Sequence, residues 1–483
     1  MKIVNVTAEF APIAKAGGMG EMVVGLAREL TRLSEDVEII LPKYQFIPNA
    51  SLPHLTQERQ FTTLENGVEI TNIVWSAVVE GCRLLLIEPR HPAGYFDRDR
   101  IYSFEDDIAR FLYFSRAVYD YLSLRKQPID ILHLHDWHVA ALAPLIATHN
   151  SVHAKGIVLS LHNSEYQGIC TESDIAAIGL RPTQQLKHQG KINLLKGGIE
   201  YAHAIIPVSP TYAKEILNSP LGFGLEPIFL KNQSKIHGIL NGIDQTLWNP
   251  ATDPHLPFHY SIDQSVAAVQ KAKKSIRETL IQKYNLSQTK GPWFGAITRL
   301  VPAKGIDLLE NAIPHIQKIG GTFVLLGSSP IEAIQQRFEA LQNTPNTLIQ
   351  LTYDDALAHQ LYASLDFLLV PSQTEPCGLT QMIGMRYGTI PIARATGGLA
   401  DTVFDWENSS RPFAQRNGFL FQDYSLPSFQ RTIDRAVTLW KKDHSSFETL
   451  LRHALSADHS WHTSADTYRR LFHRFLKSAR NAA

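Results

Sequence analysis

Cysteine is scarce in this chain of 483 residues: only Cys82, Cys170 and Cys377 occur. None stands in a Cys-x-x-Cys spacing, so no disulfide framework is indicated and a reducing compartment is expected. An excess of one charge sign is lacking as well. Lys+Arg and Asp+Glu both number 46, which leaves no electrostatic reason to expect nucleic acid or an anionic membrane as partner. No apolar run is long enough to span a bilayer. The opening residues, Met1-Lys2-Ile3-Val4-Asn5-Val6, read directly as a strand, without the charged and apolar regions of a signal peptide. A cytoplasmic location is therefore expected. Internal repeats of short period and low-complexity tails are missing too. Charged residues at 19% and aromatics at 9% suit a globular enzyme with a substantial core.

What is present is alternation. Short apolar runs are followed by longer helical patterns through most of the chain, the signature of βαβ units and parallel sheets. Strands are expected at 2–8, 37–41, 129–134, 157–161, 204–208 and 235–240. An antiparallel hairpin, 68–79 with 83–87, is expected to turn at Glu80-Gly81. The pattern weakens over 242–290, where Asn249-Pro250, Asp253-Pro254 and Leu256-Pro257 are breakers and Lys271, Lys273 and Lys274 follow. It restarts with strands at 293–298, 322–326, 348–351, 367–370 and 390–393. Helices are expected from Gly305 and over 331–341, 355–363 and 378–387. The expected fold class is α/β, with two doubly wound, Rossmann-like domains facing a cleft. The expected boundaries are 1–245 for the first domain, 246–290 for a linker and entry, and 291–458 for the second domain. Residues 459–483 would hold a C-terminal helix, basic on its polar side, packing back on the first domain.

Four places carry chemistry. After the first strand, Lys15-Ala16-Gly17-Gly18-Met19-Gly20-Glu21 precedes an apolar helix. Glycines at a helix start let backbone N–H groups approach a phosphate, and Lys15 could add a cation; such a start also serves close packing. The loop is neither GxGxxG nor a Walker A loop, so a dinucleotide dehydrogenase or P-loop nucleotidase is not indicated. A second strand ends in His133-Leu134-His135-Asp136-Trp137-His138, and the next in Leu161-His162-Asn163. His133 and His135 share one strand face. A zinc or iron site, core histidines, and a crevice with Asp136 as polar contact and Trp137 as a sugar platform are all open readings. In the second half, a strand runs into Arg299, and Lys304-Gly305 follow. A guanidinium fork and a compact ammonium there could neutralise a diphosphate, or be an ordinary surface pair. Finally, the strand 367–370 leads into Pro371-Ser372-Gln373-Thr374-Glu375-Pro376-Cys377-Gly378, where one acid precedes a helix start. A polar ligand carrying an anion, such as a sugar nucleotide, fits that arrangement.

Taken in order, these segments resemble the bacterial glycogen synthases and plant starch synthases. The resemblance covers nearly the whole chain. It is carried by Lys15-Ala16-Gly17-Gly18-Met19-Gly20-Glu21, His135-Asp136-Trp137-His138, and His162-Asn163 with Tyr166-Gln167-Gly168. Further on it is carried by Asn241-Gly242-Ile243-Asp244, Arg299-Leu300 with Lys304-Gly305, and Glu375-Pro376-Cys377-Gly378-Leu379-Thr380-Gln381. Thr396-Gly397-Gly398-Leu399-Ala400-Asp401-Thr402-Val403 completes the set. The resemblance implies a GT-B fold and an enzyme that elongates glycogen. It would transfer glucose from ADP-glucose to the non-reducing end of an α-1,4-glucan, glycogen or a maltooligosaccharide, with retention of configuration.

By the same resemblance, Arg299, Lys304, Glu375, His162 and Asp136 form the catalytic set. Arg299 and Lys304 would hold the diphosphate, and Glu375 the transferred glucose. Donor contacts would come from Lys15, Gly17, Gly18, Glu21, Asn241, Tyr353, Cys377, Gly378, Leu379 and Thr380, with Tyr353 flanking the adenine. Tyr95 and Trp137 would lie on the acceptor side. No cofactor and no metal is expected, because Arg299 and Lys304 supply the positive charge. Three positions depart from the pattern: Glu21 stands for the usual Asp, Ala16 for Thr, and Ile383 where the broader retaining pattern has a second Glu. A related transferase using UDP-glucose or another acceptor is the competing enzyme reading. A catalytically silent glucan-binding protein is the non-enzymatic one, and the joint presence of Arg299, Lys304 and Glu375 speaks against it.

Overall fold

The first strand, Lys2–Val6 (β1), is apolar on both faces, as a strand in the middle of a parallel sheet must be: Ile3, Val4 and Val6 are fully buried. The computed structural model describes residues 1–482, with side chains through Lys477. The chain separates into two units, Met1–Gly242 with Trp461–Ala483, and Ile243–Ser460.

In the first unit β1 is joined by Asp36–Pro42 (β2), Thr56–Glu65 (β3), Val68–Val79 (β4) and Cys82–Pro89 (β5). Ile129–His135 (β6) and Ala154–Leu161 (β7) follow. Ile169–Cys170 (β8), Lys187–His188 (β9) and Lys191–Asn193 (β10) form a small antiparallel sheet, and Ala204–Pro207 (β11) returns to the large one. The large sheet has the order β11-β7-β6-β1-β2-β5-β4-β3. It is parallel from β11 to β5 and antiparallel from β5 to β3. The turn between β4 and β5 has φ of +53° at Glu80 and +74° at Gly81, the left-handed pair that a tight hairpin demands.

Two sequence expectations fail in this unit. Strand β3 goes unforeseen because all but a few of its residues face solvent, so no alternation marks it. The strand expected at 235–240 is instead an irregular segment beside β11. It makes a single bridge, Ile236 with Ile205, and two ladder-like bonds: His237 N–H to Ile205 O at 2.9 Å and Ile239 N–H to Pro207 O at 3.0 Å. Gly238 lies so close to Ser209 and Pro210 that a Cβ there would collide with their backbone.

The second unit is a six-stranded parallel sheet. Its strands are Trp293–Ile297 (β12), Thr322–Leu326 (β13), Thr347–Gln350 (β14), Phe367–Val370 (β15), Ile390–Arg394 (β16) and Phe419–Phe421 (β17). Their order is β14-β13-β12-β15-β16-β17. Residues 246–290, read from sequence as a linker and the entry to the second domain, fall within this unit. They include the helix Val266–Tyr284, whose Lys273 is buried. The Lys273 ammonium donates to Tyr387 O and Thr389 Oγ1, both at 3.0 Å, and burial pushes its pKa down to about 7. A lysine run cannot announce in advance which member turns inward.

The C-terminal helix, Trp461–Ala482, packs within the first unit. Trp461 is buried against the helix Gly18–Arg32 at Gly25, where any Cβ would overlap the indole. Tyr468 and Phe472 lie with ring centroids 5.8 Å from His133. Replacing Gly25 by alanine gains about 1 kcal/mol of helix propensity but overpacks a rigid ring, which typically costs about 1–3 kcal/mol. Gly25→Ala is therefore expected to lower the urea midpoint of the first unit. Adding Trp461→Ala should remove that overlap, and strictly additive losses in the double variant would count against the packing account.

Candidate active-site residues in the two units

Most candidate residues sit in the loops that follow parallel strands, and the local backbone explains why. In the second unit, β12 gives way to Thr298 and Arg299. Arg299 is exposed, and its guanidinium has no hydrogen-bond or ion-pair partner among the described residues. A 3₁₀ turn, Pro302–Lys304, then closes at Gly305 with φ of +71°. A Cβ at Gly305 would collide with Pro371 O, so glycine lets this turn lie directly on the loop after β15. Gln373 N–H donates to Ala303 O at 2.8 Å and seals the contact. The consequence is an ion pair across the two loops: Lys304 Nζ lies 2.8 and 2.6 Å from the two Glu375 oxygens. Ser372 Oγ donates to Glu375 Oε2 at 2.9 Å. The Lys304 side chain is 22% exposed and that of Glu375 11%, so the pair is largely shielded but open at one side.

The same loop is gripped from its other flank. Gly398 N–H donates to Glu375 O at 3.1 Å, and side chains at Gly397 or Gly398 would overlap the carbonyls of Glu375 and Cys377. This gives the Thr396-Gly397-Gly398 motif its physical meaning. Gln381 is fully buried, and its Nε2 donates to Gly378 O and Thr402 Oγ1, both at 3.0 Å. The helix expected at 378–387 is shorter: it runs Thr380–Arg386, and Gly378, with φ of +73°, and Leu379 lie in the turn before it. Positive φ is what makes Gly378 a turn residue instead of a helical one. The unpaired N–H groups of the first helical turn, beginning with Thr380, can serve an anion. Cys377 is buried beside Gly398, so its thiol is not presented to solvent. Tyr353, after β14, is 76% exposed and presents an open aromatic face.

In the first unit the glycine-rich loop differs from its sequence reading. Glu9, buried just beyond β1, accepts the N–H groups of Ala16 at 2.8 Å and Gly17 at 2.9 Å through Oε2. Its other oxygen accepts the Tyr102 hydroxyl at 2.9 Å. The Gly17 N–H foreseen for a phosphate is thus taken by an internal carboxylate, whose negative charge also disfavours a phosphate there. Lys15 pairs with Glu21. What remains at the head of the helix Gly18–Arg32 are its first N–H groups, from Gly18 onward, with no side-chain cap. Glu9 and Tyr102 escaped the sequence reading because nothing in the chain links residues 93 positions apart.

The strand ends of β6 and β7 form one cluster. His133 Nε2 meets Ser160 Oγ at 2.7 Å; His135 meets Asn5 Oδ1 at 3.2 Å and His162 Nε2 at 3.3 Å. Burial pushes the imidazoles of His133, His138 and His162 down to about 3 and that of His135 well below its ordinary value, so all four are neutral at pH 7. Asp136 occupies φ of +60°, unusual for a residue with a side chain, and its Oδ1 accepts His162 N–H at 2.7 Å. Burial pushes its carboxyl up to about 7, against the opposing pull of the His162 and Asn163 N–H groups. Trp137 is not the open platform expected: it is 8% exposed, edge-on to Phe111 at 5.8 Å and tight against Gly168. Tyr95 is also buried, stacked on His91 at 3.8 Å with its hydroxyl 3.2 Å from Glu65; its ring partners are His91 and Tyr113, not Trp137. Asn241 is buried, and its Oδ1 has no partner among the described residues.

The raised Asp136 pKa carries a sign. The native state holds this proton more tightly than the unfolded chain, so the contribution to stability is present below about pH 4 and is lost as pH rises toward about 7. The difference in melting temperature between the parent protein and Asp136→Asn is therefore expected to shrink from pH 4 to 7 in favour of the variant. A difference independent of pH would show that Asp136 is ionised throughout.

Residues 2–231 match the family described as the starch synthase catalytic domain, and residues 277–448 match glycosyl transferases group 1. The chain is 40% identical to a glycogen synthase of Protochlamydia amoebophila, over 98% of this chain and 99% of that one. It is 38% identical to glycogen synthase 2 of Methylococcus capsulatus, over 97% and 99%. Among solved structures, the catalytic domain of starch synthase IV from Arabidopsis thaliana, bound to ADP and acarbose, superposes with a TM-score of 0.92. It is 39% identical and covers 99% of both chains. Sucrose-phosphate synthase from Thermosynechococcus elongatus, at 18% identity and a TM-score of 0.62, shares the fold.

Proposed function

The chain belongs to the family of glycogen and starch synthases, glycosyltransferases of the GT-B fold, and we propose that it transfers glucose from ADP-glucose to the non-reducing end of an α-1,4-glucan. Configuration at the anomeric carbon is retained, and glycogen or a maltooligosaccharide is the acceptor. The starch synthase IV catalytic domain carries ADP and acarbose, a nucleoside diphosphate and an oligosaccharide analogue, which supports that pairing. The observation that carries the reading is the Lys304–Glu375 pair with exposed Arg299 beside the same loops.

The chemistry follows from charge. Cleavage of the glycosidic bond leaves negative charge on the diphosphate and positive charge on the sugar. Arg299, Lys304 and the N–H groups from Gly378 to Thr380 stabilise the first. Glu375, fixed by Ser372 and Lys304, accepts hydroxyls of the transferred glucose, and Tyr353 flanks the adenine. Gly18, Glu21 and Asn241 add donor contacts, while Asp136 and His162 offer hydrogen bonds to the sugars. Because Glu9 already occupies the Ala16 and Gly17 N–H groups, this loop suits the sugar better than the phosphate. A front-face path, in which the leaving phosphate takes the acceptor proton, needs no nucleophilic carboxylate. Arg299 and Lys304 supply the charge that a divalent ion provides in other transferases, so activity should survive chelation. A cytoplasmic location belongs to the same reading.

With glycogen as acceptor, ADP release from ADP-glucose is expected to outpace UDP release from UDP-glucose; the reverse preference would overturn the donor assignment. Lys304→Ala should lower turnover by about 10²–10³, equivalent to about 2.7–4 kcal/mol of transition-state stabilisation. Glu375→Gln keeps the Ser372 contact and should fold normally while losing turnover. A covalent glucosyl adduct on any carboxylate, trapped by rapid quench and mass spectrometry, would sink the front-face path.

A further inference from the structure

We propose that His255, Asp355 and His359, in the second unit and outside the loops that carry Arg299, Lys304 and Glu375, bind a divalent transition-metal ion, with Zn²⁺ the best fit. One ligand atom from each of the three lies within 4.8 Å of the other two. Asp355 and His359 are four residues apart on the helix Asp355–Ser364 and so project from one face. His255 comes from the loop before the helix Val266–Tyr284, and that loop is tied to Asp355–Ser364: Gln360 Nε2 donates to His255 O at 2.9 Å, while Asp253 Oδ1 accepts His255 N–H at 2.9 Å.

The central ligand is already oriented. His359 is 1% exposed, stacked on Trp248 at 4.1 Å, with its Nδ1 2.7 Å from Asp253 Oδ2. Asp253 is itself held by the Tyr387 hydroxyl at 2.6 Å. This carboxylate–imidazole contact places the proton on Nδ1 and leaves the Nε2 lone pair on the side away from Asp253, the arrangement that supports metal-bound histidines. Nε2 is buried and has no partner among the described residues. A core histidine satisfied by Asp253 would explain Nδ1 but not an orphaned Nε2 beside a second imidazole and a carboxylate.

The donor set selects the ion. Two imidazoles and one carboxylate suit Zn²⁺ and its neighbours, whereas Mg²⁺ and Ca²⁺ prefer oxygen alone. Bond lengths of about 2.0–2.1 Å put ligand atoms of a tetrahedral ion about 3.3 Å apart. His255 is half-buried and Asp355 exposed, so both can rotate inward while His359 stays fixed. The solvent side leaves a fourth position for water. The Tyr353 hydroxyl approaches Asp355 Oδ1 only at 3.5 Å, too long to hold that carboxylate away.

The test uses the full chain, stripped with a chelator and titrated calorimetrically with Zn²⁺, then with Co²⁺ as a visible-absorption probe of geometry. One saturable equivalent per chain and tetrahedral Co²⁺ bands are expected. His255→Ala and Asp355→Ala, both at accessible positions, should each weaken binding at least tenfold and abolish those bands. Zn²⁺ should also raise the melting temperature of the parent but not of the double variant. No saturable binding, or unchanged stoichiometry and spectrum in the double variant, would overturn the site and, in the latter case, move the ion elsewhere, such as to His133, His135 and His162.

Discussion

The contact on which the second unit's candidate site depends is the ion pair between Lys304 and Glu375, and it exists because three stretches of backbone touch. Gly305 lets one loop lie on Pro371, while Gly397 and Gly398 let another lie on Glu375 and Cys377. None of these approaches tolerates a Cβ. Glycine is therefore required at these points by close approach, and at Gly305 and Gly397 by positive φ as well. The carboxylate is held by Ser372 and Lys304 before any ligand arrives. Electrostatic stabilisation of a transition state is most effective when its groups need no reorganisation. On the proposed roles, the glycines act on the chemistry through the ammonium and the carboxylate that they bring together.

The first unit solves the opposite problem. Its glycine-rich loop has the outward signs of a phosphate cradle, yet Glu9 fills that role internally. The loop therefore carries a negative charge at its base, and Lys15 is balanced by Glu21. The positive character read from sequence in Lys15 and the glycine N–H groups is thus offset, and a hydrogen-bonding surface remains. Specific positioning of sugar hydroxyls needs such donors and acceptors more than it needs charge.

Much of this was legible in the chain. Buried parallel strands announce themselves as apolar runs, and most candidate site residues stand beyond the end of one, Asn241 being an exception. What could not be read falls into two physical kinds. Strand β3 escapes the sequence reading because it is a solvent-facing edge, and 235–240 reads as a strand although it makes only a single bridge to β11. Partnerships across long separations are the second kind. Lys273 looks like one member of a solvated lysine run, but three oxygens bind it in the interior. The breakers at Asn249-Pro250 and Asp253-Pro254 suggest a linker, whereas Asp253 anchors His359 more than a hundred residues later. Trp137 and Tyr95 illustrate the limit for aromatics: the same ring serves as a platform or as a plug, and packing makes both of these plugs.

On the proposed roles, each unit carries a different part of the charge pattern that glycosyl transfer requires. Breaking the bond to a diphosphate leaves a negative charge on phosphate and a positive one on sugar. The second unit supplies the cations, Arg299 and Lys304, in a loop system that fixes one of them against a carboxylate. The first unit supplies imidazoles that burial keeps neutral, with pKa values near 3 at His133, His138 and His162. That neutrality has a consequence for the proposed roles. An imidazolium at His162 would oppose the positive charge developing on the sugar it is proposed to line, whereas a neutral ring can donate or accept a hydrogen bond without that penalty. Asp136, the acid of the cluster, is held near pH 7 by the same burial. Ionised, it favours an oxocarbenium-like sugar; protonated, it only donates a hydrogen bond. The depth at which the strand ends are buried thus bears on the stability of the first unit and, on the proposed roles, on the charge it offers to the sugar.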